Sequence, residues 1–325
     1  MKRFLDSWRM MLGGEPRRPG KDDYSAEAAD IHAYKRRPEV AKERIAMIRE
    51  ELANPVLVIK WRVRRWISII IINLLFVVSF WYDVQLIEGA LTASRVVGFH
   101  MADVNSALQV VLAYKVLVLN LLIGIVTVAI LWWIVGGRSF CAWCCPYHLL
   151  AEFAEELHLW LAGKGIVKDH PLHRGTRSWL YLIFVLLALV TGYTVFETIS
   201  PVGILSRSLI YGGGVALLWV AFLLLIEIIY TRRFWCRYIC PIGLTYGFVG
   251  KSSPIVVQYD LNHCLHEGKC RDVCLVPHVI DMTKKGRADD VIINVSADCT
   301  RCGRCVEECP TGALTFKIRG TGGLL

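Results

Sequence analysis

Charge is what this chain has least of. Only 20% of its 325 residues are charged and 55% are hydrophobic, with a mean hydropathy of +0.45. Soluble domains rarely reach that balance. Such a chain buries too much apolar surface to be disordered, and it is too long and too apolar to be a small disulfide scaffold. Several signatures are missing as well. There is no C-x2-C-H for haem attachment, no Walker-type loop and no flavin-binding motif, so the chain is not expected to carry those cofactors itself. An outward Met/His cluster for copper is also lacking. No cleavable signal peptide is legible, because a charged segment of about 60 residues precedes the first apolar run.

What is present begins with four apolar stretches, about Trp66–Leu86, Val110–Val135, Trp179–Ile199 and Gly212–Tyr230. Each approaches or exceeds the roughly 20 residues that cross a bilayer as a helix. Lys and Arg sort sharply around them: 16 in residues 1–65, one in 87–109, five in 136–178, one in 200–210 and 13 in 231–325. The positive-inside rule then places both termini and the middle loop in the cytoplasm, with the two basic-poor segments facing outward. The expected setting is a bacterial inner membrane, crossed several times. The formal charge of +9 is accounted for by this topology, and no nucleic-acid partner is expected. Residues 1–65 read as a basic cytoplasmic segment. Within it Tyr34–Arg65 looks helical, with Ile45, Ile48 and Leu52 in an apolar stripe that could lie on the lipid surface.

The membrane half, about residues 66–250, is a repeat. Arg138-Ser139-Phe140-Cys141-Ala142-Trp143-Cys144-Cys145-Pro146 and Arg233-Phe234-Trp235-Cys236-Arg237-Tyr238-Ile239-Cys240-Pro241 align at a constant offset of 95 residues. Each follows a helical pair and carries an aromatic, then C-x3-C-P. The fold class predicted is therefore four transmembrane helices in two hairpin repeats, with a separate domain after them. Both motifs emerge on one face, so Cys141, Cys145, Cys236 and Cys240 can meet as two plus two. Four thiolates suit an iron–sulfur cluster, a structural zinc or a pair of redox-active dithiols. Cys144 aligns with Ile239 and reads as a bystander.

Residues 251–325 form the α+β domain. Cys299-x2-Cys302-x2-Cys305-x3-Cys309-Pro310 fits the bacterial ferredoxin run in full, in which the first three cysteines hold one [4Fe–4S] cluster and the fourth serves the other. A second copy lies 35 residues earlier. Cys264, Cys270 and Cys274 match Cys299, Cys305 and Cys309, while Glu267 stands where Cys302 would. Strand-like runs at Ile255–Tyr259 and Val291–Val295 precede the copies. Crossed ligation predicts one cluster on Cys274, Cys299, Cys302 and Cys305. The other falls to Cys264, Cys270 and Cys309, with Glu267 at the fourth corner, either as [3Fe–4S] or as [4Fe–4S] with an oxygen-held, labile iron.

From about Arg62 to Phe316 the chain resembles the NapH/MauN family of ferredoxin-type membrane proteins. The four apolar stretches, FCAWCCP, FWCRYICPIG, the C-x5-C-x3-C run and CTRCGRCVEECP carry the resemblance. It implies quinol oxidation in the membrane and electron transfer through iron–sulfur centres toward a periplasmic partner, a separate iron–sulfur or c-type haem protein. The departure at Glu267 bears on the second cluster alone. A quinol needs a proton acceptor near the membrane, and ionisable residues within spans read as functional. Glu227 and Glu197 are the candidates, followed by Asp83 and Lys115. His100 reads as a loop histidine and His148 as a cap on the first C-x3-C-P. The alternative function is an electron donor for metalloprotein maturation or copper reduction.

Overall fold

The computed structural model describes residues 2–53, 60–83 and 87–319. The chain opens with three helices, α1 (Lys2–Met11), α2 (Ala26–Arg36) and α3 (Pro38–Ala53). Pro38 favours an extended residue before it, and Arg37 has ψ 136°, so no single helix runs from Tyr34 to Arg65. Of the apolar stripe, Ile45 faces solvent, and the side chain of Leu52 lies outside the described residues. α2 does not float on a surface. Ser25 caps it by accepting from Ala28 N and donates to Asp290. Tyr24 donates to the Gly286 carbonyl at 2.7 Å, and Ala28 is fully buried in the core of the C-terminal domain.

α4 (Lys60–Trp81) is a continuous 22-residue helix. Among the described residues it is the one helix both long and apolar enough to cross a bilayer; the end of the first predicted stretch, 84–86, lies outside them. A meander follows, β1 (Ile87–Ala90), β2 (Ala93–Val96) and β3 (Phe99–Ala102), paired antiparallel in that order. The second stretch is two helices rather than one. α5 (Val104–Tyr114) ends at Lys115, which takes a left-handed conformation with φ 55°. The chain turns before α6 (Leu119–Val135). Lys115 thus sits exposed in a turn, not inside a span. Beyond the first C-x3-C-P, whose start forms α7 (Ser139–Trp143), come α8 (Pro146–Gly163) and α9 (Thr176–Thr191). Gly192 ends α9 at φ 66°, so the third stretch stops there. α10 (Val195–Ile199), α11 (Pro201–Tyr211) and α12 (Ala216–Ile229) follow. The apolar helices α6, α9 and α12 have 17, 16 and 14 residues, and all three present large apolar side chains on their outer faces, among them Ile130, Val190 and Leu218.

The two basic-poor segments pack against the rest of the molecule. Gly124 of α6 lies against β3; a methyl group there would come within 3.2 Å of Ala102 N. α5 starts at Asp103, whose carboxylate accepts from the Tyr246 hydroxyl at 2.7 Å in the heart of the fold, and its end at Ala113 lies beside Gly192. α11 starts beside the central cavity, which Val202 lines, and ends with the Tyr211 ring 5.0 Å from Phe80 at the far end of α4. Both helices therefore run from the centre outward. Their starts suit them: Asp103 accepts from Ser106 N at 2.9 Å, and Pro201 occupies the first helical position, where its missing N–H costs nothing.

After α13 (Pro241–Val249) the chain enters the C-terminal domain. Its sheet has the order β5-β4-β6, all antiparallel, with β4 at Ile255–Asp260, β5 at Ile292–Asn294 and β6 at Leu314–Ile318. The two strand-like runs read from the sequence are β4 and β5. Two short helices, α14 (Lys269–Asp272) and α15 (Arg304–Glu307), carry the cysteine runs.

Candidate iron–sulfur sites

The first C-x3-C-P does not lie along one helix. Cys141 sits in α7, and Cys145 caps α8 with Pro146 at its first position. In the second copy Cys236 lies in a π-turn, Trp235–Ile239, and Cys240 caps α13 with Pro241 first. The i, i+4 spacing thus spans a helix break, which turns each pair of sulfurs toward a common space. Cys141, Cys145, Cys236 and Cys240 all line one cavity of about 260 Å³. Cys145 and Cys240 sit at the N-caps of α8 and α13, so the first turns of both helices start at this cavity. Helix N-termini favour negative charge. Five guanidiniums, from Arg138, Arg174, Arg177, Arg233 and Arg237, line the same cavity against one carboxylate, Asp298. Among the described residues no three of His, Cys, Asp and Glu come close enough to share one ion.

The pseudo-symmetry is crossed. Arg138 of the first copy packs on Gly243 of the second, where an added methyl would lie 3.1 Å from its guanidinium. Arg233, its counterpart, reaches His148 at 3.4 Å and Glu155 at 2.5 Å, both in α8. His148 and Gly243 are equivalent positions, each two residues after the proline. His148 is therefore wedged between Arg65 and Arg233 and lines the cavity.

In the C-terminal domain the two cysteine runs share a backbone as well as a spacing. His266 and Arg301, each two residues after the leading cysteine, have φ 57° and 50°. Their amides donate to Cys264 and Cys299 sulfur, both at 3.4 Å. Gly268 and Gly303 then start α14 and α15 at φ 101° and 79°, values that an L side chain resists. Cys274 lies among the sulfurs of Cys299 and Cys302; burial first, and then those neighbours, hold its thiol well above the ordinary value. Cys305 is held high for the same reasons. On the other side Cys264, Cys270 and Cys309 line one small cavity together with Glu267, and burial pushes the Cys270 thiol up to about 11. Thiols so raised must lose their protons when iron binds. The residues fit two clusters, one with four thiolates and one with three thiolates and a carboxylate.

The N-terminal segment reaches this second site. Lys35 of α2 donates to the carbonyls of Leu261 and, at 2.7 Å, of Cys264, and the His32 ring stacks on His266 at 6.5 Å. Nothing in the cysteine pattern pointed to them. The seam between the halves was equally hidden. Asp298, beside Cys299, is fully buried and accepts from Arg138 at 2.6 Å, Arg177 at 2.9 Å and His278 at 2.7 Å. The guanidiniums hold its carboxyl well below the usual range, against burial. Burial brings His278 down to about 4. Leu275, Val276, Pro277 and Thr300 close the four-cysteine cavity on the C-terminal side, so it abuts the site built by Cys274 and Cys299.

The remaining sequence candidates part company. Glu227 is fully buried next to the four-cysteine cavity, accepting from the Tyr147 hydroxyl at 3.0 Å and Trp235 N at 3.1 Å. Glu197 lines a separate cavity. Asp83 is an exposed residue at the end of α4, with φ 50°, and His100 sits exposed in β3 opposite Arg95. Neither reaches a cysteine site.

A ferredoxin-type cysteine domain, seated on a helical repeat that converges four more cysteines, defines an iron–sulfur electron-transfer protein. Comparison with known proteins agrees. A 4Fe-4S binding domain model matches residues 295–315, and a second 4Fe-4S binding domain model matches residues 117–164 and 213–257, one match on each C-x3-C-P copy. The methylamine utilization ferredoxin-type protein MauN of Methylorubrum extorquens is 33% identical over 80% of this chain and 89% of its own length. The ferredoxin-type protein NapH of Escherichia coli is 28% identical over 81% and 93%. No solved structure matches. The chain belongs to the MauN/NapH family of ferredoxin-type proteins.

Proposed function

We propose that this chain is the membrane-embedded subunit of a quinol dehydrogenase. In this reading α4, α6, α9 and α12 cross the cytoplasmic membrane of a bacterium, the shorter three aided by local thinning or by flanking side chains, and both termini are cytoplasmic. The parts are residues 1–65, 66–250 and 251–325. The exposed apolar faces of these helices support the placement, as does the docking of α2 on the C-terminal domain, which keeps both ends of the chain on one side.

One observation carries the redox reading: all four C-x3-C-P cysteines line one cavity whose C-terminal wall belongs to the ferredoxin site. Cys141, Cys145, Cys236 and Cys240 would hold a third cluster there. Clusters of this kind supply one-electron acceptors and donors. Two helix starts and five guanidiniums stabilise an anionic, thiolate-ligated centre, an environment that a pair of neutral dithiols does not require. Cys274, Cys299, Cys302 and Cys305 lie next, and Cys264, Cys270, Cys309 and Glu267 last, so the chain's own residues set out three stations in a row. Electrons from a membrane quinol would pass along them to a separate iron–sulfur or c-type haem subunit.

The test is anaerobic purification with iron and sulfide counts, followed by addition of a reduced quinol under EPR. Replacing Cys141, Cys145, Cys236 and Cys240 together by Ser should remove one cluster's iron and leave the ferredoxin signals. Clusters that respond to dithionite but never to quinol would overturn the reading.

A further inference from the structure

A second cavity, of about 390 Å³, lies between the ends of α10, α11 and α12, lined among others by Tyr193, Glu197, Arg207, Tyr211 and Gly214. Its volume is in the range of small-ligand sites. Its mouth is exposed: Val215, between the lining residues Gly214 and Ala216, is 83% accessible, and the rings of Tyr193 and Tyr211 in its lining are exposed as well, as an opening to lipid would be. Inside, the Arg207 guanidinium donates to the carbonyls of Gly203 at 3.1 Å and Glu197 at 3.3 Å.

Behind Glu197 stands a second carboxylate. The Ser106 hydroxyl lies 3.1 Å from Asp103 Oδ2 and 3.3 Å from Glu197 Oε2. A hydroxyl has one proton to donate, so it can serve only one of them, and the other contact is made when a carboxyl proton points back at the Ser106 oxygen. Asp103 already accepts from Ser106 N at 2.9 Å and Tyr246 Oη at 2.7 Å, so both of its oxygens are engaged by donors. Glu197 is the member that takes and gives a proton, and it faces the cavity. The neighbouring residue supplies a link to the redox centre. The Phe196 ring stacks on Trp235 at 6.2 Å and 18°, and Trp235 lines the four-cysteine cavity.

The geometry points to this cavity as the quinol site, with Glu197 as the residue that receives a ring-hydroxyl proton; the assignment rests on the quinol reading above. In the step, an O–H bond of the quinol breaks and its proton passes to Glu197 Oε2, from where Ser106 connects it to Asp103. Full oxidation to the quinone releases two protons and two electrons, the electrons leaving one at a time to iron–sulfur centres as the one-electron oxidant. The Phe196–Trp235 contact is the short way to the four-cysteine cavity.

Three proteins decide it, each in nanodiscs: the parent, Glu197→Gln, and Gly214→Phe. Gly214 lines the cavity, and a Cβ added there meets nothing within 4 Å, so a bulky side chain is accommodated without a clash. Binding of a short-tailed benzoquinone and of a naphthoquinone is measured by quenching of tryptophan fluorescence. Reduction is followed by bleaching of the cluster absorbance with the corresponding quinol and, separately, with dithionite. Gly214→Phe should weaken binding at least roughly tenfold, as overfilling does. Glu197→Gln should bind as the parent does but bleach with quinol about 100-fold more slowly, the size of a lost proton acceptor. Both should bleach normally with dithionite, which shows that they are folded and loaded. If the parent responds to quinol and both variants match it, this site assignment is wrong while the quinol reading stands. If the parent neither binds nor responds, both fall together.

Discussion

Glu267 is the residue on which the second cluster turns. It stands at the position of Cys302 in the other copy and lines the same small cavity as Cys264, Cys270 and Cys309. An oxygen donor there holds iron less firmly than a thiolate would. Glu267→Cys should give a stable four-iron centre, seen as added iron per chain and a changed EPR spectrum on mild oxidation; unchanged iron and spectrum would show that position 267 is not a ligand. The cysteine register itself was legible, because covalent spacing of C-x2-C-x2-C-x3-C-P leaves the backbone little choice around a cluster. Lys35 and His32 were not, since they arrive from a helix more than 200 residues away in sequence, and no local pattern records such a contact.

Elements meet where Asp298, from the loop before Cys299, binds Arg138, Arg177 and His278. The pH behaviour of the fold belongs to this junction. His278 takes its proton near its ordinary value, about 6.5, when unfolded, but only near 4 in the folded chain, where burial opposes the charge. Between those values the unfolded state binds more protons, so stability falls as pH is lowered from about 6.5 toward 4, by an amount on the order of 2 kcal/mol. Asp298 is shifted in the same direction, and its contribution is kept until the pH falls through the ordinary carboxylate range, below which it is lost in turn. Thermal unfolding from pH 7.5 to 4.5 should show the slope in the parent and a shallower one in His278→Gln; equal slopes would remove His278 from the account. At this scale the sequence misled by running α9 on into α10 past Gly192, and in the same way at the second stretch. Continuous hydropathy merged α5 with α6 and placed Lys115 inside a span, because an apolar turn between two apolar helices has the composition of one helix.

For the molecule as a whole, the prediction is topological. The basic N-terminal segment and the C-terminal domain pack on each other: Met11 is buried with Leu244 and Ala297, and Arg177 donates to the Met11 carbonyl at 2.8 Å. Tags at the two ends should therefore respond alike in inside-out vesicles, both digested by added protease and both protected in intact spheroplasts. Opposite responses would refute the arrangement. The same packing closes the row of three cysteine sites into one body, so that Trp143, next to the first C-x3-C-P, donates its indole N–H to the Arg301 carbonyl inside the ferredoxin run.

The linear chain determined its own chemistry: twelve cysteines in three recognisable groups and one leftover, a charge distribution that separates the ends from the apolar runs, and a 95-residue repeat. These are properties of spacing and composition, which survive in one dimension. Tertiary structure alone decided which cysteines share a space, why Arg138 and Arg233 cross between the copies, and that α5 and α11 start in the buried centre of the fold. Those outcomes depend on how two imperfect repeats pack around a common centre, where buried carboxylates and guanidiniums must find partners, and partners so distant in sequence leave no local trace.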